Sequence, residues 1–233
     1  MTFKSKALAG QNAKLLIAGD SLTAGIPQRF TYKIAAEQAA AQFPNSTIVF
    51  KSRNPGGADS VTTIRTGTNG QTLTIIADSV SGSTSYRVDQ RSAIYDVEAV
   101  DSAAVMLGIN DVVNFASNPN VYNESNYYLN MNTLVLYGQQ IGYEMFVITP
   151  AWGDAYGTLE LKFTGIAWLA RRIAIGRGCK YIDLRRMCEE HYTNNGYGGL
   201  GVSPGNWSDG DDIHLNAAFH SAAAARVWQT VMG

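Results

Sequence analysis

The sequence predicts an α/β fold in which a parallel sheet is covered by helices on both faces. Three observations carry this reading. Five short apolar runs recur along the chain, at residues 15–18, 47–50, 103–107, 145–149 and 180–184. Longer stretches with helical patterning lie between most of them, and such alternation marks strands joined by crossover helices. Polar clusters containing glycine follow several of the runs, where the loops at strand ends belong.

Taken in order, the first run, Leu15-Leu16-Ile17-Ala18, ends at Gly19-Asp20-Ser21-Leu22. This places a serine at the rim of the sheet, with a helix predicted over 28–42. The second run leads into Asn54-Pro55-Gly56-Gly57-Ala58-Asp59-Ser60. Residues 60–91 are rich in Thr, Ser, Val and Ile, and Asn69-Gly70 separates Ile64-Arg65-Thr66 from Leu73-Thr74-Ile75-Ile76. An Asn-Gly between such runs signals a hairpin, so this region reads as a β-rich insertion rather than a crossover helix. The third run is followed by Gly108-Ile109-Asn110-Asp111 and a helix over 125–141. A further helix is expected over 158–178, where Leu159, Phe163, Ile166, Leu169 and Ile173 fall near a helical period and Gly178 supplies the stop. After the fifth run, a last helix over 216–232 takes Asn216 as its N-cap.

A chain of 233 residues suffices for one α/β domain with a full core, and residues 1–233 read as a single domain. Apolar residues make up 45% and charged residues 16%, as in globular proteins. The net charge of −1 gives no long-range attraction to phosphate backbones or anionic lipid, which argues against nucleic-acid partners. No stretch approaches the ~18 apolar residues of a membrane span, so no membrane insertion is expected. The first ten residues lack the apolar centre of a secretory signal, and a cytoplasmic or virion-associated protein is the expectation. Cys179 and Cys188 flank a strand-to-helix connection and read as reduced thiols.

The chemistry lies in separated blocks. Acyl transfer at a serine needs a base for the hydroxyl proton, a carboxylate to orient that base, and donors aimed at the developing oxyanion. Ser21 is the candidate nucleophile, His214 the base and Asp211 the orienting carboxylate, the last two arriving as Asp211-Asp212-Ile213-His214 just before the last helix. The Ser21 N–H, the Gly57 N–H and the neutral Asn110 amide are the candidate oxyanion donors. In an open parallel sheet of order 2-1-3-4-5, the loops after the first and third strands diverge and leave a crevice. Ser21 and Asn110 fall at its mouth, with the loop carrying Gly57 beside them.

These blocks resemble the GDSL or SGNH hydrolase family, named for its Ser, Gly, Asn and His. The resemblance covers residues 17–216 and rests on four blocks in the family's order. It implies a three-layer α/β/α sandwich around a five-stranded parallel sheet, with Ser21 as nucleophile, Asn110 and Gly57 as oxyanion donors, and Asp211 with His214 completing a triad. Gly56 is the alternative to Gly57. The last block reads Asp-Asp-Ile-His-Leu where relatives commonly have Asp-Gly-x-His-Pro, and the additional Asp212 reads as solvent-facing.

Competing signals are weaker. Gly201-Val202-Ser203-Pro204-Gly205 has the spacing of a nucleophile elbow, but Pro204 lacks the N–H that such an elbow donates. The glycines of residues 196–201 follow no apolar strand and read as a loop. His191, His214 and His220 match no zinc spacing, so no metal or cofactor is expected. Trp152, Tyr156 and Trp207 lie on predicted rim loops, where aromatic faces stack on sugar rings, and the neighbouring loops are rich in asparagine. The expected activity is hydrolysis of short-chain carboxylic esters, above all O-acetyl groups on a glycan. The alternatives are a lysophospholipase or thioesterase using the same triad, and a non-catalytic glycan-binding or virion module.

Overall fold

A computed structural model describes residues 1–25, 27–54, 58–115, 117–151, 160–194 and 215–233. Among these, seven strands form one sheet: β1 (Ala13–Gly19), β2 (Thr47–Arg53), β3 (Ser60–Arg65), β4 (Thr72–Ser79), β5 (Ser102–Met106), β6 (Glu144–Ile148) and β7 (Lys180–Ile182). Their order is β3-β2-β4-β1-β5-β6-β7, and every pairing is parallel except β2 with β3. The helices Phe3–Leu8, Phe30–Lys33 and Ala217–Met232 pack together as one layer, and Arg91–Tyr95, Glu124–Gln140 and Glu160–Gly176 form a second. The result is a three-layer α/β/α arrangement.

The five expected strands are present as β1, β2, β5, β6 and β7. The insertion differs from expectation. Residues 60–65 and 72–79 do not pair with each other, because β2 lies between them. Burial explains this. In β4 the residues Leu73, Ile75, Ile76 and Ala77 are all buried, a near-continuous apolar run that needs cover on both faces. β4 therefore enters the sheet between β2 and β1, parallel to both, with Ile75 opposite Phe50 on one side and Leu15 on the other. β3, whose residues 60–63 are all exposed, is left as an antiparallel edge.

The Asn69-Gly70 turn serves this rearrangement. Thr68 N and Asn69 N donate to Asn45 O at 2.7 and 3.1 Å, and the Asn69 side chain donates to Ser46 Oγ at 3.3 Å. The turn is thus pinned to the connection leading into β2 and directs the chain back into the sheet.

Helix ends follow local chemistry. Asn216 caps the last helix by accepting from Ala218 N and Phe219 N at 3.0 and 3.2 Å. Gly178, at φ +65°, closes the helix Glu160–Gly176, with Cys179 N donating to Ala174 O at 2.8 Å. Both cysteines are free thiols, and burial pushes the Cys179 thiol up to about 11.

Ile75→Ala should cost about 2–5 kcal/mol in urea unfolding, because it opens a cavity in the centre of the sheet. Val61→Ala, at a side chain 63% exposed on the edge, should change stability by no more than about 0.5 kcal/mol. Equal costs would contradict the interior placement of β4.

Candidate active site

Ser21 follows β1 directly and opens the 3-10 turn Ser21–Thr23. Asp20 caps that turn, its Oδ1 accepting from Leu22 N at 3.0 Å, while its own carbonyl accepts from Thr23 N at 3.1 Å and Thr23 Oγ1 at 2.9 Å. The bend is too tight for a side chain at Gly19, where a Cβ would lie 2.5 Å from Met106 O and 2.6 Å from Thr23 Oγ1. Leu22 and Thr23 are buried, leaving Ser21 half-buried at the sheet's rim.

The exit of β4 is stitched to this turn. Ser79 Oγ and Thr23 Oγ1 lie 2.7 Å apart, and Val80 N donates to Gly19 O at 3.2 Å. The loop that follows carries Gly82 and Ser83 and enters the 3-10 helix Ser85–Gln90, which Thr84 caps. From that helix, Arg87 Nη1 reaches back to Gly19 O at 2.9 Å and Asp78 O at 3.0 Å. One guanidinium therefore holds the ends of both β1 and β4.

The third block arrives from the other side of β1. Gly108 has φ +132°, and a Cβ there would lie 2.7 Å from Ile166 Cγ2. The chain turns at this glycine into the helix Ile109–Phe115, so that Asn110 and Asp111 occupy its first turn. Asn110 Nδ2 donates to Ser83 O at 2.9 Å. Asp111, only 4% exposed, accepts from Ser85 N at 2.8 Å and from Ser85 Oγ at 2.5 Å, and Asn130 Nδ2 donates to the same hydroxyl at 3.2 Å. Burial pushes the Asp111 carboxyl above the ordinary aspartate value of 3.8, and the two Ser85 bonds pull against that rise.

The exits of β4, β1 and β5 thus lie side by side, with Ser21 in the middle and Asn110 clasping the loop that contains Gly82. Neighbouring strands are ~4.8 Å apart, so the end of β2, which leads toward Gly57, stands two strands or roughly 10 Å from β1. This differs from the order expected from sequence, in which the second strand bordered the first directly. Gly57, Gly56, Trp152, Tyr156, Ser203, Trp207, Asp211, Asp212 and His214 lie outside the described residues. Leu215, immediately after His214, is described. It is buried, and its carbonyl accepts from Arg29 Nη1 at 3.3 Å.

The GDSL-like Lipase/Acylhydrolase family matches residues 17–222, most of the chain. The protein belongs to that family. It is accordingly a carboxylic ester hydrolase. Among solved structures, the acetyl xylan esterase AlAXEase is similar with a TM-score of 0.71 and 18% identity, over 93% of this chain and 98% of that one. Axe2, an acetylxylan esterase from Geobacillus stearothermophilus, gives 0.64 and 16% over 95% of each chain. A lipase/acylhydrolase from Enterococcus faecalis gives 0.65 and 17% over 95% of this chain and 96% of that one. At these identities the likeness is one of fold. No curated protein matches the sequence.

Sequence reasoning missed the loop after β4 and the part played by Asp111. The available signal was the apolar run Leu73-Thr74-Ile75-Ile76-Ala77 leading into Ser79-Val80-Ser81-Gly82, the same strand-then-glycine pattern that marked the other blocks. The asparagines read as a polar substrate rim are partly committed elsewhere, since Asn114 Nδ2 donates to Asn110 O at 2.7 Å. Among the described residues, no group of three or more His, Cys, Asp or Glu side chains could hold a metal ion, and no helix is long and apolar enough to cross a membrane.

The Asp111–Ser85 clasp can be measured by a double-mutant cycle on unfolding free energy with Asp111→Asn and Ser85→Ala. A coupling of about 0.5–3 kcal/mol is expected for a directly bonded pair. Strict additivity would contradict the clasp.

Proposed function

We propose that the protein hydrolyses short-chain carboxylic esters, O-acetyl groups on a carbohydrate above all, by a Ser21–His214–Asp211 triad. Ser21 Oγ attacks the ester carbon as its proton passes to His214, whose imidazole Asp211 orients. The tetrahedral oxyanion is stabilised by Ser21 N–H, a loop glycine N–H and the second N–H of the Asn110 amide. His214 then protonates the departing alcohol, leaving an acyl-serine, and next takes a proton from water, which releases the carboxylate.

The observation that carries this reading is the adjacency of three strand exits, with Ser21 between the Gly82 loop and Asn110. It also argues for Gly82 as the glycine donor in place of Gly57, because the Gly82 loop borders β1 whereas β2 does not. Nothing lies within 4 Å of where a Cβ on Gly82 would project, which leaves room for an acyl group to approach the backbone. The carbohydrate reading is supported by the aromatic residues Trp152, Tyr156 and Trp207, which the sequence pattern assigns to rim loops. Two acetyl xylan esterases sharing the fold add to it.

A panel of p-nitrophenyl esters from acetyl to dodecanoyl should give the highest kcat/KM at acetyl, and Ser21→Ala should abolish turnover. Activity rising toward decanoyl would instead favour a lysophospholipid or thioester substrate. Asn110→Ala should lower kcat about 10²–10³-fold, the typical loss for one oxyanion donor. Undiminished turnover in that variant would contradict the assignment of Asn110.

A further inference from the structure

A cavity lies at the carboxyl edge of the sheet, outside the groups the proposed mechanism uses. It has a volume of about 220 Å³, and Arg53, Asp78 and Arg87 form its charged wall. Arg53 is the last residue of β2 and stands in register with Asp78 of β4. Arg53 Nη1 donates to Asp78 Oδ2 at 3.2 Å and to Ile94 O, while Arg87 Nη2 donates to Asp78 Oδ1. Two guanidinium groups therefore share one carboxylate.

The charge does not close within this cluster. Arg53 and Arg87 are 6% and 5% exposed, yet Arg53 Nε, Arg53 Nη2 and Arg87 Nε have no hydrogen-bond partner. A buried N–H left unpaired is costly, and a buried cation in excess of its counter-charges more so. The acid on the rim, Asp59, feels the charge of Arg53 but its ion pair is made elsewhere. Asp59 pairs with Lys51 Nζ at 3.1 Å, Lys51 also pairs with Glu98 at 2.8 Å, and Glu98 with Lys14 at 2.7 Å, so those two lysines and two acids balance one another. The inner trio keeps one net positive charge.

We propose that this cavity is a carboxylate-binding subsite, sized for the acid group of a six-membered sugar such as a hexuronate. A carboxylate neutralises the excess charge and offers lone pairs to guanidinium N–H groups in the planar geometry that suits them. The size admits the ring. An apolar cavity of ~150 Å³ admits benzene, and this one is larger. Gln90 brings an amide suited to ring hydroxyls, and Ala93 and Val97 supply the apolar wall. Because Arg87 also holds Gly19 O, the subsite adjoins the turn that bears Ser21. That the acid belongs to the glycan being deacylated rests on the esterase reading; that the cavity holds a carboxylate does not.

The test is thermal unfolding and calorimetric titration of the full chain with glucuronate, glucose and acetate at matched ionic strength, in buffer free of other carboxylates and of phosphate. Glucuronate should raise Tm and bind, and glucose should do neither. Arg53→Gln should weaken binding roughly tenfold or more, the usual loss for a charged hydrogen bond. Because that variant can fail to fold, Ala93→Glu provides a second arm. Ala93 is exposed, and a carboxylate tethered there occupies the site, so the glucuronate response should vanish in a folded protein. No response to glucuronate, an equal response to glucose, or an undiminished response in Ala93→Glu overturns the subsite. A response to acetate alone keeps the charge argument and overturns the ring. Glucuronate binding without Ser21-dependent ester hydrolysis leaves the subsite standing and removes the esterase reading, whereas hydrolysis without binding does the reverse.

Discussion

The clasp between the Asn110-Asp111 pair and the segment Ser83–Ser85 is the constraint on which the arrangement depends. A carboxylate as deeply buried as Asp111 must find donors or pay for its lost hydration. It finds them in the N–H and hydroxyl of Ser85, and the amide beside it takes the carbonyl of Ser83. The bonds bridge the exits of β5 and β4, which stand on opposite sides of β1. The turn bearing Ser21 is confined between them. Arg87 and the Ser79–Thr23 contact fasten the same region from the β4 side. Any loosening of Ser85 would shift a flanking loop relative to Ser21, so polar satisfaction in the core and the geometry proposed for catalysis are one problem here.

Much of this could be read from sequence because the relevant residues punctuate strand ends. Gly19-Asp20-Ser21 and Gly108-Ile109-Asn110 both sit where an apolar run stops, and tight backbone turns require glycine at those points. The helices over 30–42, 124–140, 160–176 and 217–232 were visible in their apolar spacing and in the Asn216 and Gly178 boundaries. β4 was not. Its Leu-Thr-Ile-Ile-Ala pattern satisfies both an alternating hairpin strand and a buried parallel strand, and the Asn-Gly upstream favoured the hairpin. Pairing partners are a tertiary property, and only the burial of Ile75 and Ile76 on opposite faces distinguishes the two.

That difference bears on the proposed mechanism. With β4 beside β1, the loop next to the turn bearing Ser21 comes from a region that sequence reading treated as an insertion, and the end of β2 is moved outward. The displaced strand end then carries Arg53 to a place where, with Arg87, it lines a charged cavity on the same edge of the sheet. Insertion of one strand thus separates the groups proposed for acyl transfer from this charged recess. The two arginines were not singled out by any motif, because their significance lies in sharing one aspartate in the folded chain.

The most direct measurement is labelling of the intact protein with a fluorophosphonate, followed by peptide mapping by mass spectrometry. Such a reagent reports a hydroxyl made nucleophilic by a neighbouring base. One adduct should form, on the peptide containing Ser21, and it should be lost in His214→Ala. An adduct on Ser203, or labelling of Ser21 that is indifferent to His214, would contradict the account.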